Sequence, residues 1–213
     1  MNINKVDFKN KYITHAAIMM SKAWTYHKNF KGCTDIVFYY EQFFKSCYCK
    51  ATYSEFLVDE NDILIGFLIS SSPNEKHFLA STHTLISNLF YLLIGKFGER
   101  ISGLKTFLAM TKDIDEIMKD SHLYDEELSL FFVDESARGL KLGKKLLNNY
   151  LDYCKNNNIN TIILLTDAEC DYKFYDHNGF TRVNELNSKY FANPELPANG
   201  FAYSYTINKK ETI

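Results

Sequence analysis

The sequence predicts an α/β fold, and three stretches of its 213 residues carry that prediction. Two amphipathic helical patterns open the chain, an alternating hairpin follows at "YSEFLVDENDILIGFLISS", and a strand, helix, strand succession runs from 127 to 166. The last decides the class, because a helix of that length between two strands implies a right-handed crossover joining parallel neighbours. A composition of 46% hydrophobic and 23% charged residues is that of a globular chain able to bury its own core. Residues 1–213 are therefore expected to form a single domain, with an insertion at about 73–120.

Each element has a local cause. Ile13, Ala17, Met20 and Trp24 recur at helical spacing, and beyond the turn signal "KGCTD" a second stripe follows at Val37, Tyr40, Phe44 and Cys47. The hairpin turns at the polar Asp59–Asp62 stretch, with Gly66 as a packing concession in its second strand. Helical patterns at about 77–94 and 101–118 meet at "GKFGER", whose Gly95 and Gly98 suit a turn between helices. The remainder alternates: strand "ELSLFFV", helix 138–156, strand "TIILLT", short helix 171–177, then strands near 180–186 and 201–207. In the last strand Phe201, Tyr203, Tyr205 and Ile207 alternate with small or polar residues, which predicts one buried face.

Several function classes recede on composition. A formal charge of −2 supplies no global basic field for nucleic acid or an anionic membrane, so any anion must be met locally. The most apolar run, "LISNLFYLLIG", is about half a bilayer crossing and reads as a buried helix. Five scattered cysteines and a polar start, "MNINKVDFKN", lead us to expect a cytoplasmic protein with reduced thiols. Cys47 and Cys49 have no second ligand pair at metal spacing, so no metal site is expected.

The segment "SARGLKLGKKLL", 136–147, concentrates the local positive charge. Helix 138–156 buries a stripe of Gly143, Leu147, Tyr150, Leu151 and Cys154, which leaves its first turn free. Unpaired N–H groups at the positive end of a helix dipole, with glycine allowing close approach, suit a diphosphate flanked by Arg138 and Lys144. The same lysines also suit a merely solvated helix end.

"VDESARGLKLGKKLL" resembles the acetyl-CoA loop of the GNAT N-acetyltransferase superfamily: arginine or glutamine, two residues, glycine, one residue, then glycine or alanine. Arg138 and Gly143 match; Lys141 stands where a glycine is usual, and Glu135 replaces a frequent proline. "FYDHNGF", 174–180, resembles the family's second signature, an aromatic pair, three residues, glycine and phenylalanine, at the expected distance. The resemblance covers about 1–70 and 127–207 and leaves 73–120 outside.

The resemblance implies a mixed, mostly antiparallel central sheet with one splayed parallel strand pair, flanked by helices and interrupted by the helical insertion. It implies an enzyme, an acyltransferase, moving an acetyl group from acetyl-CoA to a primary amine of a small molecule or peptide, directly within a ternary complex. The coenzyme would be held by the backbone of Phe131, Phe132 and Val133, by Arg138, Gly139, Leu140, Lys141, Leu142, Gly143 and Lys144, and beside Phe174. Tyr175 matches the tyrosine that protonates the departing thiolate, and Glu127 is the best-placed base, with Glu126 and His122 behind it. Where the family often carries asparagine and alanine, Asp167, Ala168 and Asp171 leave the usual side-chain contact to the cofactor amide unassigned, and Cys170 is the candidate for a covalent route. Trp24, Tyr26, His27, Tyr39, Tyr40, Phe43 and Phe44, with Tyr190 and Phe191, would surround the acceptor. The insertion would cap that pocket or form a homodimer surface. A non-catalytic acyl-CoA-binding sensor, motivated by Lys141, and an α/β domain unrelated to coenzyme binding are the competing readings.

Overall fold

The computed structural model describes residues 2–74 and 78–207, without the side chains of 78–81. Seven strands form one sheet: β1 (Asn4–Val6), β2 (Tyr53–Val58), β3 (Leu64–Ser71), β4 (Glu126–Val133), β5 (Thr161–Asp167), β6 (Thr181–Leu186) and β7 (Gly200–Thr206). Their order is β1-β2-β3-β4-β5-β7-β6, antiparallel throughout except for the parallel pair β4 and β5. The helices are α1 (Lys11–Ala23), α2 (Ile36–Tyr48), α3 (Phe78–Leu93), α4 (Arg100–Ile117), α5 (Leu142–Asn156) and α6 (Lys173–His177). The expected mixed sheet with its parallel crossover is therefore present, with α3 and α4 inserted between β3 and β4.

Strand alternation sorts the core into two layers. On one face Phe56, Val58, Phe67 and Ile69 meet Tyr12, Met20, Tyr40 and Phe44 of α1 and α2. On the other, Leu57, Ile65 and Leu68 meet Leu142, Leu146, Leu147, Tyr150 and Cys154 of α5. The buried stripe of α5 thus includes Leu142 and Leu146 rather than Gly143, because the helix begins at Leu142, four residues later than its basic motif suggested. The residues between follow another course: Asp134 caps a short 3-10 turn, Glu135–Ala137, by accepting from the Ser136 amide at 2.9 Å.

Three expectations change for tertiary reasons. β1 is an added edge strand whose polar sequence carries no alternation; its pairing with Val58, Leu57 and Phe56 supplies what its side chains do not. Trp24 ends α1 in extended conformation rather than continuing it. β7 is buried on both faces at its start, since it lies between β5 and β6 and its Ala202 is covered on the second face by Ile117 and Met118 at the end of α4 together with Phe191 of the preceding loop.

The insertion is joined to the α1–α2 connection through Gly98. Glu99 N–H donates to Lys31 O at 2.7 Å, and the two side chains pair at 2.7 Å. Gly98 has φ +100, and a Cβ there would lie 2.3 Å from Lys31 O and 2.8 Å from Cys33 N. No rotamer relieves a clash between backbones, so Gly98→Ala is expected to cost about 3 kcal/mol. Thermal unfolding should show this as a midpoint drop of about 6–12 °C.

Candidate active site

The two central strands part company after a short contact. β4 and β5 pair only at Glu126 with Ile162 and Glu127 with Ile163, so Leu128–Val133 and Leu164–Asp167 diverge. On its other edge β4 stays paired to β3 as far as Val133. The Asp134 amide donates to Ile65 O at 2.8 Å, which sets the alternation of hydrogen-bonded pairs along this ladder. By that alternation Phe132 directs its backbone to β3, while the N–H and C=O groups of Phe131 and Val133 face the gap. Of the three residues expected to offer their backbone to a coenzyme arm, Phe132 is therefore the exception; its side chain packs under Trp24 at 4.6 Å between centroids.

A β-bulge at Ser129 changes which face β4 shows. The register passes from Ser70 opposite Leu128 to Ile69 opposite Leu130, leaving Ser129 unopposed. Without it, Glu127 and Leu130 would point to opposite faces; with it, Leu130 and Phe132 join the α1–α2 face, and Glu127 lies there beside Cys47 and Lys50. Glu126 points the other way, buried, and accepts from the hydroxyls of Thr52 and of Ser70, the latter at 2.8 Å. His122 is exposed on a 3-10 turn with Nδ1 3.2 Å from Lys119 O. Among the three acid–base candidates Glu127 alone faces α2. Desolvation raises its carboxyl above the ordinary range; Lys50 opposes this and Glu126 adds to it.

At the mouth of the gap lies the basic loop. The first i to i+4 bond of α5 is Lys145 N–H to Lys141 O at 3.1 Å, so the amides of Leu142, Gly143 and Lys144 precede the helical ladder. A Cβ on Gly143 would stand 3.6 Å from both the Phe131 and Phe174 rings, so these residues form one continuous floor. Gly139, at φ +82, would meet nothing within 4 Å, which leaves the approach open. Arg138 is exposed and pairs with Glu135 at 3.0 Å. Burial alone would raise the Asp134 carboxyl, but the Ser136 bonds, with Lys22 and Arg138 nearby, hold it below its usual value. A diphosphate fits this arrangement: free amides, an open glycine and several cations.

Lys141 adopts φ 57, the left-handed conformation that glycine takes without strain, and its side chain is exposed. The loop thus keeps a glycine-like backbone while carrying lysine. Relief of about 1–2 kcal/mol of left-handed strain, less about 0.5–1 kcal/mol for glycine's greater freedom when unfolded, makes Lys141→Gly stabilising. Urea unfolding should show a gain of about 0.5 kcal/mol.

Deeper in the gap, past the end of β5, Trp24 Nε1 donates to Cys170 Sγ at 3.0 Å. Tyr26 donates to buried Asp167, which also accepts from the amides of Glu169 and Cys170 at 3.0 and 3.2 Å. Glu169 in turn accepts from the Thr25 amide and hydroxyl at 3.0 and 3.1 Å. Asp167, Glu169 and Cys170 therefore tie the end of β5 to the α1–α2 connection, a role that residue type alone did not announce. Burial pushes the Cys170 thiol up to about 12, with Asp167 adding to it, so the thiol stays protonated at neutral pH.

Tyr175 lies on α6 with ring centroids 5.8 Å from Phe174, 5.5 Å from Phe180 and 5.8 Å from Tyr203. Burial raises its phenol well above the ordinary value, and Cys170 and Asp171 push in the same direction. Its hydroxyl therefore stays protonated across the physiological range. Asp176 and His177 are exposed on the outer side of the same helix. Of the aromatics expected around an acceptor, Tyr40 and Phe44 are wholly buried and His27, Tyr39 and Phe191 nearly so. Trp24, Tyr26, Phe43 and Tyr190 are the partly exposed ones.

A sequence model of the family described as "Acetyltransferase (GNAT) domain" matches residues 96–191. The match takes in α4, so part of the insertion falls inside the family's span although the two motifs had left it out. The fold is similar to that of an acetyltransferase of the GNAT family from Staphylococcus aureus Mu50, with 17% identity, 97% of this chain and 100% of that one covered, and a TM-score of 0.55. It is also similar to the ribosomal-protein-S18-alanine N-acetyltransferase of Escherichia coli, at 12% identity over 100% and 99% of the two chains and a TM-score of 0.55. A third likeness is to Arabidopsis thaliana Naa50 in complex with the bisubstrate analogue CoA-Ac-MVNAL, at 16% identity over 97% and 99% and a TM-score of 0.54. No curated protein sequence matches the chain.

Proposed function

We propose, from the match of residues 96–191 to a GNAT acetyltransferase domain and from the likeness of the fold to GNAT structures, that this chain moves an acetyl group from acetyl-CoA directly to a primary amine. The observation that carries the reading is the splay of β4 from β5, which leaves the backbones of Phe131 and Val133 facing a gap that opens onto the unladdered amides of Leu142–Lys144. When bound, the coenzyme supplies an activated acetyl thioester. The chain holds its diphosphate on those amides, with Arg138 turning from Glu135 toward it, and its arm along β4.

Glu127 takes the proton that an ammonium must lose before its nitrogen can attack, helped by a carboxyl raised toward neutrality. Tyr175 gives its hydroxyl proton to the departing sulfur. Cys170, held protonated and hydrogen-bonded by Trp24, positions the wall of the gap rather than acting as nucleophile. Small-molecule amines and peptide N-termini are both proposed as acceptor classes; the peptide class is supported by the activity for which the Escherichia coli neighbour is named and by the peptide portion of the analogue bound to the Arabidopsis one.

Calorimetry with CoA, followed by thiol release from acetyl-CoA over a panel of peptide and small amines, tests the proposal. Micromolar binding with amine-dependent release is expected. Binding without release from any amine would favour the sensor reading instead, and no binding at millimolar coenzyme would sink both.

A further inference from the structure

A cavity of about 480 Å³ is lined by residues of α2, α3 and α4. Its wall is mostly aromatic and aliphatic, with Phe30, Phe43, Phe97, Leu92, Leu104 and Phe107 prominent. The size is that of a small-molecule site. What distinguishes it from a packing gap is its polar content. Gln42 lines it with only 6% of its surface exposed, and its carboxamide forms no hydrogen bond with the described residues. Asn88, also in the wall, donates from Nδ2 to Ser46 Oγ at 2.9 Å, but its buried Oδ1 accepts from nothing among the described residues. The buried Asn88 Oδ1, unpaired in an apolar chamber, carries a desolvation cost of about 1–3 kcal/mol that a matching donor removes, and the Gln42 carboxamide, open to the cavity, is available to the same ligand.

Charge narrows the ligand further. Among the described lining residues none is a carboxylate, and Lys50, exposed at the rim, is the one charged group. An ammonium would find no counter-charge in the lining itself, and Lys50, which faces Glu127 of β4, stands at the rim against it. An uncharged hydroxyl meets both needs, donating to Asn88 Oδ1 and accepting from the Gln42 amide. We propose that this chamber binds a compact, uncharged, hydroxyl-bearing aromatic molecule of the alkylphenol class. The chamber adjoins the proposed acetyl-transfer centre: Lys50 at its rim faces Glu127, Phe43 packs edge-on against Trp24 at 5.7 Å, and Trp24 against Phe132 at 4.6 Å.

Trp24 is the chain's single tryptophan, so its fluorescence, excited at the red edge of its absorption, reports on Phe43 directly. Titrating the full chain without coenzyme with 4-butylphenol, butylbenzene and 4-butylbenzylamine, by fluorescence and by calorimetry, tests the proposal. Binding of 4-butylphenol about tenfold tighter than butylbenzene is expected, with 4-butylbenzylamine weakest. Asn88→Leu should bring the phenol and the hydrocarbon to equal affinity, and Leu104→Trp should abolish both. Equal binding of phenol and hydrocarbon by the unaltered chain, equal binding of phenol and ammonium, or no saturable binding would overturn it. The comparison of ligands needs no variant to fold, and because no coenzyme is present its failure leaves the acetyl-transfer reading untouched.

Discussion

Replacing Tyr175 with phenylalanine is expected to lower kcat by about 10²-fold or more while leaving the dissociation constant for CoA unchanged. The ring does the packing, against Phe174, Phe180 and Tyr203, and phenylalanine preserves all three contacts. The hydroxyl makes no hydrogen bond with the described residues, so its removal should alter stability little. What is lost is a proton donor that burial, with Cys170 and Asp171 nearby, keeps protonated at every physiological pH. The loss should accordingly be of the same size from mildly acidic to mildly alkaline conditions. Steady-state turnover measured across pH, beside CoA titrations of both proteins, checks this; an unchanged kcat throughout would remove Tyr175 from the chemistry.

Glu127→Gln should cost about as much at neutral pH, and it should change the shape of the pH profile rather than only its height. Glu127 must be ionised to accept a proton, and desolvation has raised its carboxyl above the ordinary glutamate range. Activity of the unaltered protein should therefore fall as pH drops through this raised value, at a higher pH than an exposed glutamate would give. Glutamine cannot titrate, so that limb of kcat/KM should vanish. Lys50 holds the carboxyl down, so Lys50→Met should move the limb to higher pH. A limb that persists in Glu127→Gln, or moves to lower pH in Lys50→Met, would assign the base elsewhere.

Most of the elements were legible because their causes are local. The stripes of α1 and α2, the alternation of β2 and β3 and the turn at Gly95 and Gly98 each depend on a few neighbouring residues. The candidate site was legible at its two motifs for the same reason: Arg138–Lys144 and Phe174–Phe180 are continuous stretches with characteristic residue types. Its orientation was not. Periodicity placed a strand over 127–133, but whether Glu126 or Glu127 faces α2, and whether Phe131 or Phe132 turns its amide to the gap, depends on the ladder with β3 and the bulge at Ser129.

By itself, then, the sequence determined the fold class, the parallel crossover and the positions of the basic loop and Tyr175, since period, spacing and turn chemistry are properties of the chain. Tertiary structure alone decided the left-handed backbone at Lys141, the bonds that tie Asp167, Glu169 and Cys170 to the α1–α2 connection, and the chamber holding Gln42 and Asn88. Each of these arises where residues far apart in the chain exclude water together. Burial is a property of that assembly, and it decides which carboxyl, thiol or carboxamide is left with work to do.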